Sequence, residues 1–358
     1  MNKGVSESNA HPDAILFFCN GAEDYLADGL LHGLKTLLGE QVVDFPRCDF
    51  LYEDCPPAIK QKVRGNGFTL YTGLLGNDNA DRSRWNEKIR TRQYRLVVFS
   101  DIWNQWGLMV QSLPYLNPGN TAVLDTADSV QPYPYAGFWW RRPYYWLVPR
   151  AHTRFKYFKR EWTPATIRHL YQLLIPEWLA GKLPPPRNYR RISFSIPPEC
   201  IVTFPPAKDK TFATHVVDSE MLEFLEGTTS SYAFETQADY YADLQRSRYA
   251  ITTKRAGWDC LRHYEIAANG CVPCFRALDC KPDTCAPHGL NETNCVTYNS
   301  PAELLTRLKN ITEDEYRALQ RGAIQWAWDN STVERARQFL AECGWSLRVN
   351  AATARQSE

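Results

Sequence analysis

The chain contains no run of about 20 apolar residues, so no membrane-spanning helix is expected. It also lacks a charge excess, since 41 Lys and Arg oppose 40 Asp and Glu for a formal net charge of +1. A dedicated nucleic-acid binder normally carries a strong basic surplus. That class is disfavoured, although a local basic groove stays open. No internal repeat and no low-complexity tract is visible. The opening MNKGVSESNAHPD is polar, lacks the apolar core of a signal peptide, and reads as a disordered lead-in over residues 1–12. A cytoplasmic location is expected by default, with the inner membrane face as a variant of it.

Cysteine is plentiful, at eleven residues, six of them between Cys260 and Cys295. Cys271 and Cys274 form a C-x-x-C, so a zinc or disulfide knot in the 276–295 loop is one reading. The two lie in an extended run, however, where a spacing of three sends side chains to opposite faces. No second C-x-x-C follows at finger spacing. Reduced, mostly buried thiols are the expectation.

A length of 358 residues suits two domains. AILFFCNG (14–21) reads as a buried strand ending in Gly. The helix that follows carries Leu26, Leu30, Leu34 and Leu37 on one face, and QVVDFP is the next strand. This β-loop-α-β opening is how a parallel Rossmann-like sheet begins. RLVVFSD (95–101) and NTAVLDTAD (120–128) are further strands, each ending in Asp at the edge where such sheets bind ligands. Residues 131–162 are dense in aromatics and cations, with Pro at 132, 134, 143 and 149 breaking any long helix. They suit either an acceptor-facing or membrane-facing surface, or plain packing. IRHLYQLLIPEWLAGK reads as helical. The expected division is 13–181 for a first Rossmann-like, acceptor-holding domain, 182–190 for a Pro-rich linker and 191–312 for a second domain. Helices at 313–346 would pack back on the first domain, with a tail at 347–358. In the second half ECIVTF, THVVD and AFET read as strands and ADYYADLQRSR as a helix.

The most informative stretch is Ser247–Phe275, SRYAITTKRAGWDCLRHYEIAANGCVPCF. It reads as strand, cationic Gly-containing loop, helix, turn and strand, with Gly270 where a helix end favours a left-handed residue. A positive loop feeding a helix N-terminus suits a diphosphate, because free N–H groups and the helix dipole both favour anions. Arg262 and Glu265 share a helical face. One can hold phosphate while the other accepts from ribose hydroxyls.

The pattern R-x-x-E-x-x-x-x-G-x-x-P, here Arg262, Glu265, Gly270 and Pro273, resembles the donor-binding half of GT-B glycosyltransferases. The likeness is to their exostosin-like and bacterial glycan-assembly branches. A second likeness is RFKYFKRE (154–161), similar to a segment before the interdomain linker of related bacterial sequences. The resemblance implies an α/β fold of GT-B type, with two Rossmann-like domains facing each other across a cleft and C-terminal helices crossing back. It implies a metal-independent enzyme moving a sugar from a UDP- or GDP-linked donor to a hydroxyl of a glycan, glycolipid or related acceptor. No cofactor is expected beyond that nucleotide-sugar co-substrate.

Lys254, Arg255, Gly257, Arg262 and Glu265 are the expected donor-binding residues. Surface charge, an ordinary turn and a simple i, i+3 pair are the competing roles. Asp24, Glu23 and Asp101 are the candidate catalytic carboxylates, with His152 and Asp128 as rivals. Helix capping competes for the carboxylates and would leave a weaker base. Lys159, Arg160 and His152 are candidate phosphate or acceptor contacts. VVDSE (216–220) lacks the Gly-Arg pair that retaining enzymes of this fold place early in the second domain, so the stereochemical course stays open. Two other readings remain: a phage-type enzyme acting on hydroxymethylated DNA bases, and a non-catalytic nucleotide-sugar-binding module.

Overall fold

The computed structural model describes residues 14–63, 71–135, 151–166, 176–231 and 233–345. Two parallel sheets dominate it. The first has six strands: β1 (Ala14–Phe18), β2 (Val42–Phe45), β3 (Tyr94–Phe99), β4 (Thr121–Asp125), β5 (Lys156–Lys159) and β6 (Tyr189–Arg191), in the spatial order β2-β1-β3-β4-β5-β6. All its pairings are parallel. Strand order reverses at β1, which opens a crevice beyond the carboxyl ends of β1 and β3. The second sheet has four strands in the order β10-β9-β8-β7: β7 (Lys210–Phe212), β8 (Ser247–Thr252), β9 (Val272–Arg276) and β10 (Val296–Tyr298). These are also parallel throughout.

Helix α1 (Tyr25–Leu38) starts on Asp24, whose carboxylate accepts from the backbone of Leu26 and Ala27. It stops at Gly39, whose φ of +57° favours glycine. A single buried face was expected, yet Leu26 through Lys35 are all buried. The cause is α8 (Thr332–Glu342), which returns from the end of the chain and packs on the outer side of α1. A Cβ on Gly33 would collide with the carbonyl of Thr332. The His32 imidazole lies 2.8 Å from the Thr332 hydroxyl, and the rings of Phe158 and Phe339 meet at 4.7 Å.

The chain passes between the sheets twice, just after β6 and between α7 (Glu313–Asp329) and α8. The crossings are hydrogen-bonded to each other, with Ile196 N donating to Asn330 O (3.2 Å) and Thr332 N to Ile196 O (2.9 Å). Arg190 and Arg191, at the end of the Pro-rich piece, belong to β6 and pair with β5.

Besides single-turn helices, the remaining described helices are α2 (Trp85–Arg90), α3 (Ile102–Ser112), α4 (Gln237–Arg246), α5 (Leu261–Ala268) and α6 (Pro301–Asn310). Gly270 adopts the left-handed conformation expected after α5, at φ +62°. Cys271 and Cys274 do fall on opposite faces of the second sheet, in separate apolar clusters. Three expected strands are not formed. Glu199–Phe204 is a short turn followed by irregular chain, bracketed by Pro197–Pro198 and Pro205–Pro206, which cannot donate to a ladder. His215 makes only an isolated bridge to Thr229, and 233–236 is irregular. The sheet's edge strand is instead Lys210–Phe212. Residues 1–13, 136–150 and 346–358, and with them the lead-in, the tail and much of the aromatic segment, lie outside the described residues. So do 167–175 of the helical stretch before the linker. No described helix is long and apolar enough to cross a membrane.

Candidate functional site

Beyond the carboxyl end of β8, the loop Lys254–Asp259 turns into α5. Arg255 N donates to Gly257 O (3.0 Å), which makes the turn. Lys254 and Arg255 are exposed, and the Lys254 ammonium lies 5.2 Å from the Trp258 ring centre. Gly257 is buried for a reason the sequence did not suggest: a Cβ there would collide with the carboxylate of Glu161, from the end of β5. Glu161 also accepts from Asp259 N (3.1 Å), so the loop is docked onto the first sheet.

Helix α5 shows two faces. Tyr264 turns toward the crossing helices, stacks against Trp326 with ring centres 4.8 Å apart, and donates to Asp259 (2.8 Å). Arg262 and Glu265 face the other way and line one small pocket with His215, Ala233, Phe234 and Tyr240. Arg262 Nη2 is 3.5 Å from His215 Nε2, while its buried Nη1 has no partner. Burial and the charges of Arg262 and Arg255 depress the His215 pKa, so the ring stays neutral beside two guanidiniums. Burial pushes the Glu265 carboxyl up to about 7, against the pull of Arg262 and a 3.5 Å contact with the Tyr241 hydroxyl. An unpartnered guanidinium N–H and a carboxyl poised near neutrality in one pocket are what an anionic, hydroxyl-bearing ligand would satisfy.

The facing wall is the crevice of the first sheet. Asp24 and Asp101 both lie there as the caps of α1 and α3, and the Asp101 charge acts on Asp24. Asp101 is buried and fully engaged. It accepts from Trp103 N (3.0 Å), Asn20 Nδ2 (2.6 Å) and Asn104 Nδ2. Asp24 is half-buried, and its pKa is raised by burial and by Asp101, against hydrogen bonds from Ala27 N and Thr126 and the charge of Arg160. Capping would by itself lower that pKa; burial wins. Behind it Asp28 is buried, donates no proton to the cap but accepts Asp24 N (2.9 Å), and has its pKa raised well above the ordinary range by burial and the Asp24 charge. Glu23 is half-buried beside these two carboxylates.

The second segment places its two cations differently. Lys159 is fully buried and pairs with Asp125 (2.9 Å), within the first sheet, so it is not presented to a ligand. The pair compensates two charges that burial would otherwise make costly. Arg160 is also buried, yet it bridges. Its guanidinium donates to Asp128 (2.6 Å) and Thr126 O (2.9 Å), reaches Asp259 in the loop before α5 (3.7 Å), and lies 3.9 Å from the Phe194 ring centre. Asp128 is thereby engaged by Arg160. The side chain of His152 lies outside what the structure describes.

Sequence reasoning missed His215, Tyr241, Tyr71, Asp28 and Glu161. Tyr71 is fully buried, donates to Ser195 O (2.8 Å), and feels the charges of both Asp28 and Glu265. His215 directly precedes the VVDSE stretch, whose missing Gly-Arg pair is the more conspicuous feature there. Glu161 completes the motif that supplied Lys159 and Arg160, and its role is legible only through Gly257. All eleven cysteines are free thiols, and no group of metal-binding side chains occurs among the described residues.

Two facing parallel α/β sheets, a cleft at their carboxyl ends and C-terminal helices crossing back define a GT-B type fold. No family model and no curated protein sequence matches the chain. Among solved structures it is similar to Anabaena HepE in complex with UDP-glucose, with a TM-score of 0.50 at 11% identity over 92% of this chain and 99% of that one. The same protein with UDP and glucose matches equally. A glycosyltransferase from Rickettsia africae aligns over 92% of this chain and 97% of its own, at 11% identity and a TM-score of 0.49.

Proposed function

We propose that the chain is a glycosyltransferase that moves a sugar from a nucleotide-sugar donor to an acceptor hydroxyl. The observation that carries this reading is the pocket where Arg262, His215 and Glu265 converge, linked to the first sheet by Tyr71, which feels the charges of both Glu265 and Asp28. Arg262 and the exposed Lys254 and Arg255 stabilise the diphosphate as negative charge develops on it, without calling for a metal. Glu265 takes the ribose hydroxyls. Asp24 accepts the acceptor's proton, because its raised pKa makes it a better base than a merely capped carboxylate. Binding of UDP-glucose by HepE supports a UDP-linked donor here, with a GDP-linked donor as the alternative.

The acceptor domain is built on the first sheet and runs through β6 to Arg191, beyond the expected bounds of 13–181 and 182–190. The donor-binding domain follows and includes α7, which packs on α5 and β9, so that of the expected 313–346 only α8 returns to the first domain. The acceptor is a glycan or a glycolipid. Peripheral contact with a membrane is supported by Trp178, 67% exposed beside Leu179 and with the Lys182 ammonium over its ring. The deciding experiment is release of UDP or GDP from a panel of nucleotide sugars, with and without glycan, glycolipid or hydroxymethylated DNA. Acceptor-stimulated release with a glycan or glycolipid is expected. Tight donor binding without any release would make the chain a binding module, and stimulation by DNA alone would overturn the acceptor class.

A further inference from the structure

A groove of about 750 Å³ shares no lining residue with the pocket of Arg262 and Glu265. It is formed where the two inter-sheet crossings meet, by β6 and Ile192, the loop at His288–Gly289, and the junction of α7 and α8. Three of its basic side chains bear on its chemistry, two guanidiniums and an imidazole that burial holds neutral. Arg335 is buried, yet among the described residues no carboxylate lies within ion-pairing distance. Its guanidinium donates only to the neutral amide oxygens of Asn330 (2.7 Å) and Gln338 (2.5 Å), and its Nε has no partner. A buried cation with no ion pair, acted on only at longer range by the charges of Asp259 and Glu334, is costly unless an anion completes it. His288 lines the same wall with a buried Nε2 that also has no partner. Arg191 is exposed at the groove's edge and makes no ion pair among the described residues, and its charge reaches His288.

We infer that this groove is a second ligand site, separate from the donor pocket, that binds a phosphate monoester of a polyhydroxy compound. The phosphate sits against Arg335 and Arg191, and His288 Nε2 meets one of its oxygens. Glu342, ion-paired to Arg190, and Asp329 complete the lining with acceptors suited to hydroxyl groups. With Arg190 offset by Glu342, the two guanidiniums of Arg191 and Arg335 face the single carboxylate of Asp329, a balance that suits a monoester better than a polyphosphate.

The test is calorimetric titration of the full chain with glucose 6-phosphate, inorganic phosphate and glucose, at matched ionic strength. Saturable binding of glucose 6-phosphate is expected, about tenfold or more tighter than inorganic phosphate, with none for glucose. Arg191→Ala, an exposed change, should weaken it about tenfold, the loss of one charge-assisted contact. Arg335→Gln should remove it, and Arg262→Ala should leave it unchanged. If Arg335→Gln fails to fold, Arg191→Ala and Arg262→Ala decide the matter. The inference is overturned by absent saturation, by equal affinity for the two phosphates, or by binding that Arg262→Ala abolishes and Arg191→Ala spares.

Discussion

The guanidinium of Arg160 lies 3.9 Å from the ring centre of Phe194, and the same side chain reaches Asp259 in the loop that begins α5. One buried cation therefore ties the end of β5 to the chain leaving β6 and to the donor-side helix. Breaking a buried pair leaves an uncompensated charge, here Asp259, at a cost of about 3–5 kcal/mol. Arg160→Met should lower the unfolding free energy by that order in urea titrations. Arg160→Lys should recover less than half, because an ammonium cannot both stack and fork. Full rescue by lysine would show that charge alone matters.

Gly257 separates two accounts of the loop. If it is glycine because Glu161 occupies the space, Gly257→Ala should destabilise the fold by about 1–3 kcal/mol, in the range for overpacking. Combining it with Glu161→Ala should then cost less than the sum of the single changes, as coupled neighbours do. If the glycine serves only close approach of phosphates, Gly257→Ala would keep its stability and lose donor affinity alone. The contact with Glu161 leads us to expect the first result in thermal and urea unfolding.

Arg262 and Glu265 should separate from the rest of the chain in donor binding. Arg262→Ala removes the guanidinium with an unpartnered N–H, and should weaken UDP-glucose binding about 10–100-fold with little change in melting temperature. His215→Ala should fall between wild type and that variant. Unchanged affinity in Arg262→Ala, measured by calorimetry, would move the donor elsewhere.

Much of this arrangement could be read from local pattern. The strand-loop-helix-strand of 247–275 and the pair Arg262 and Glu265 follow from periodicity and turn chemistry. So do the cap at Asp24 and the left-handed Gly270, because each is decided within a few residues. Contacts between distant segments could not be read this way. Nothing near Gly33 announces the carbonyl of Thr332, and nothing near Gly257 announces Glu161. Lys159 and Arg160 adjoin in sequence, yet alternation sends one into the sheet's ion pair with Asp125 and the other across to Asp259. The edge strand Lys210–Phe212 was missed because only three residues pair, while the more β-prone ECIVTF is bracketed by prolines.

Asp24 and Asp101 should part company under mutation. Asp24→Asn keeps a capping oxygen, so stability should change by less than about 1 kcal/mol, while loss of general-base function lowers kcat about 10²–10⁴-fold. Asp101→Ala leaves Asn20 and Asn104 without their acceptor and should cost about 1–3 kcal/mol, with kcat less affected. Equal kcat in Asp24→Asn and wild type would return the base to Glu23.

The Glu265 carboxyl, held near pH 7 by burial, gives donor binding a pH dependence whose sign is fixed. Ribose hydroxyls donate to the ionised form, so binding selects carboxylate and releases a proton below about pH 7. Affinity for UDP-glucose, whose diphosphate does not titrate in this range, should therefore rise from pH 6.5 to pH 8 and then level. His215, with its pKa already depressed, stays neutral across that window and adds no opposing slope. The same raised pKa means that apo stability from this group is fully present below the unfolded value and is lost as pH rises through 7. Donor should then stabilise the protein more at pH 8 than at pH 6.5. Glu265→Gln should flatten both profiles. A donor affinity that still rises with pH in that variant would assign the titration to another group.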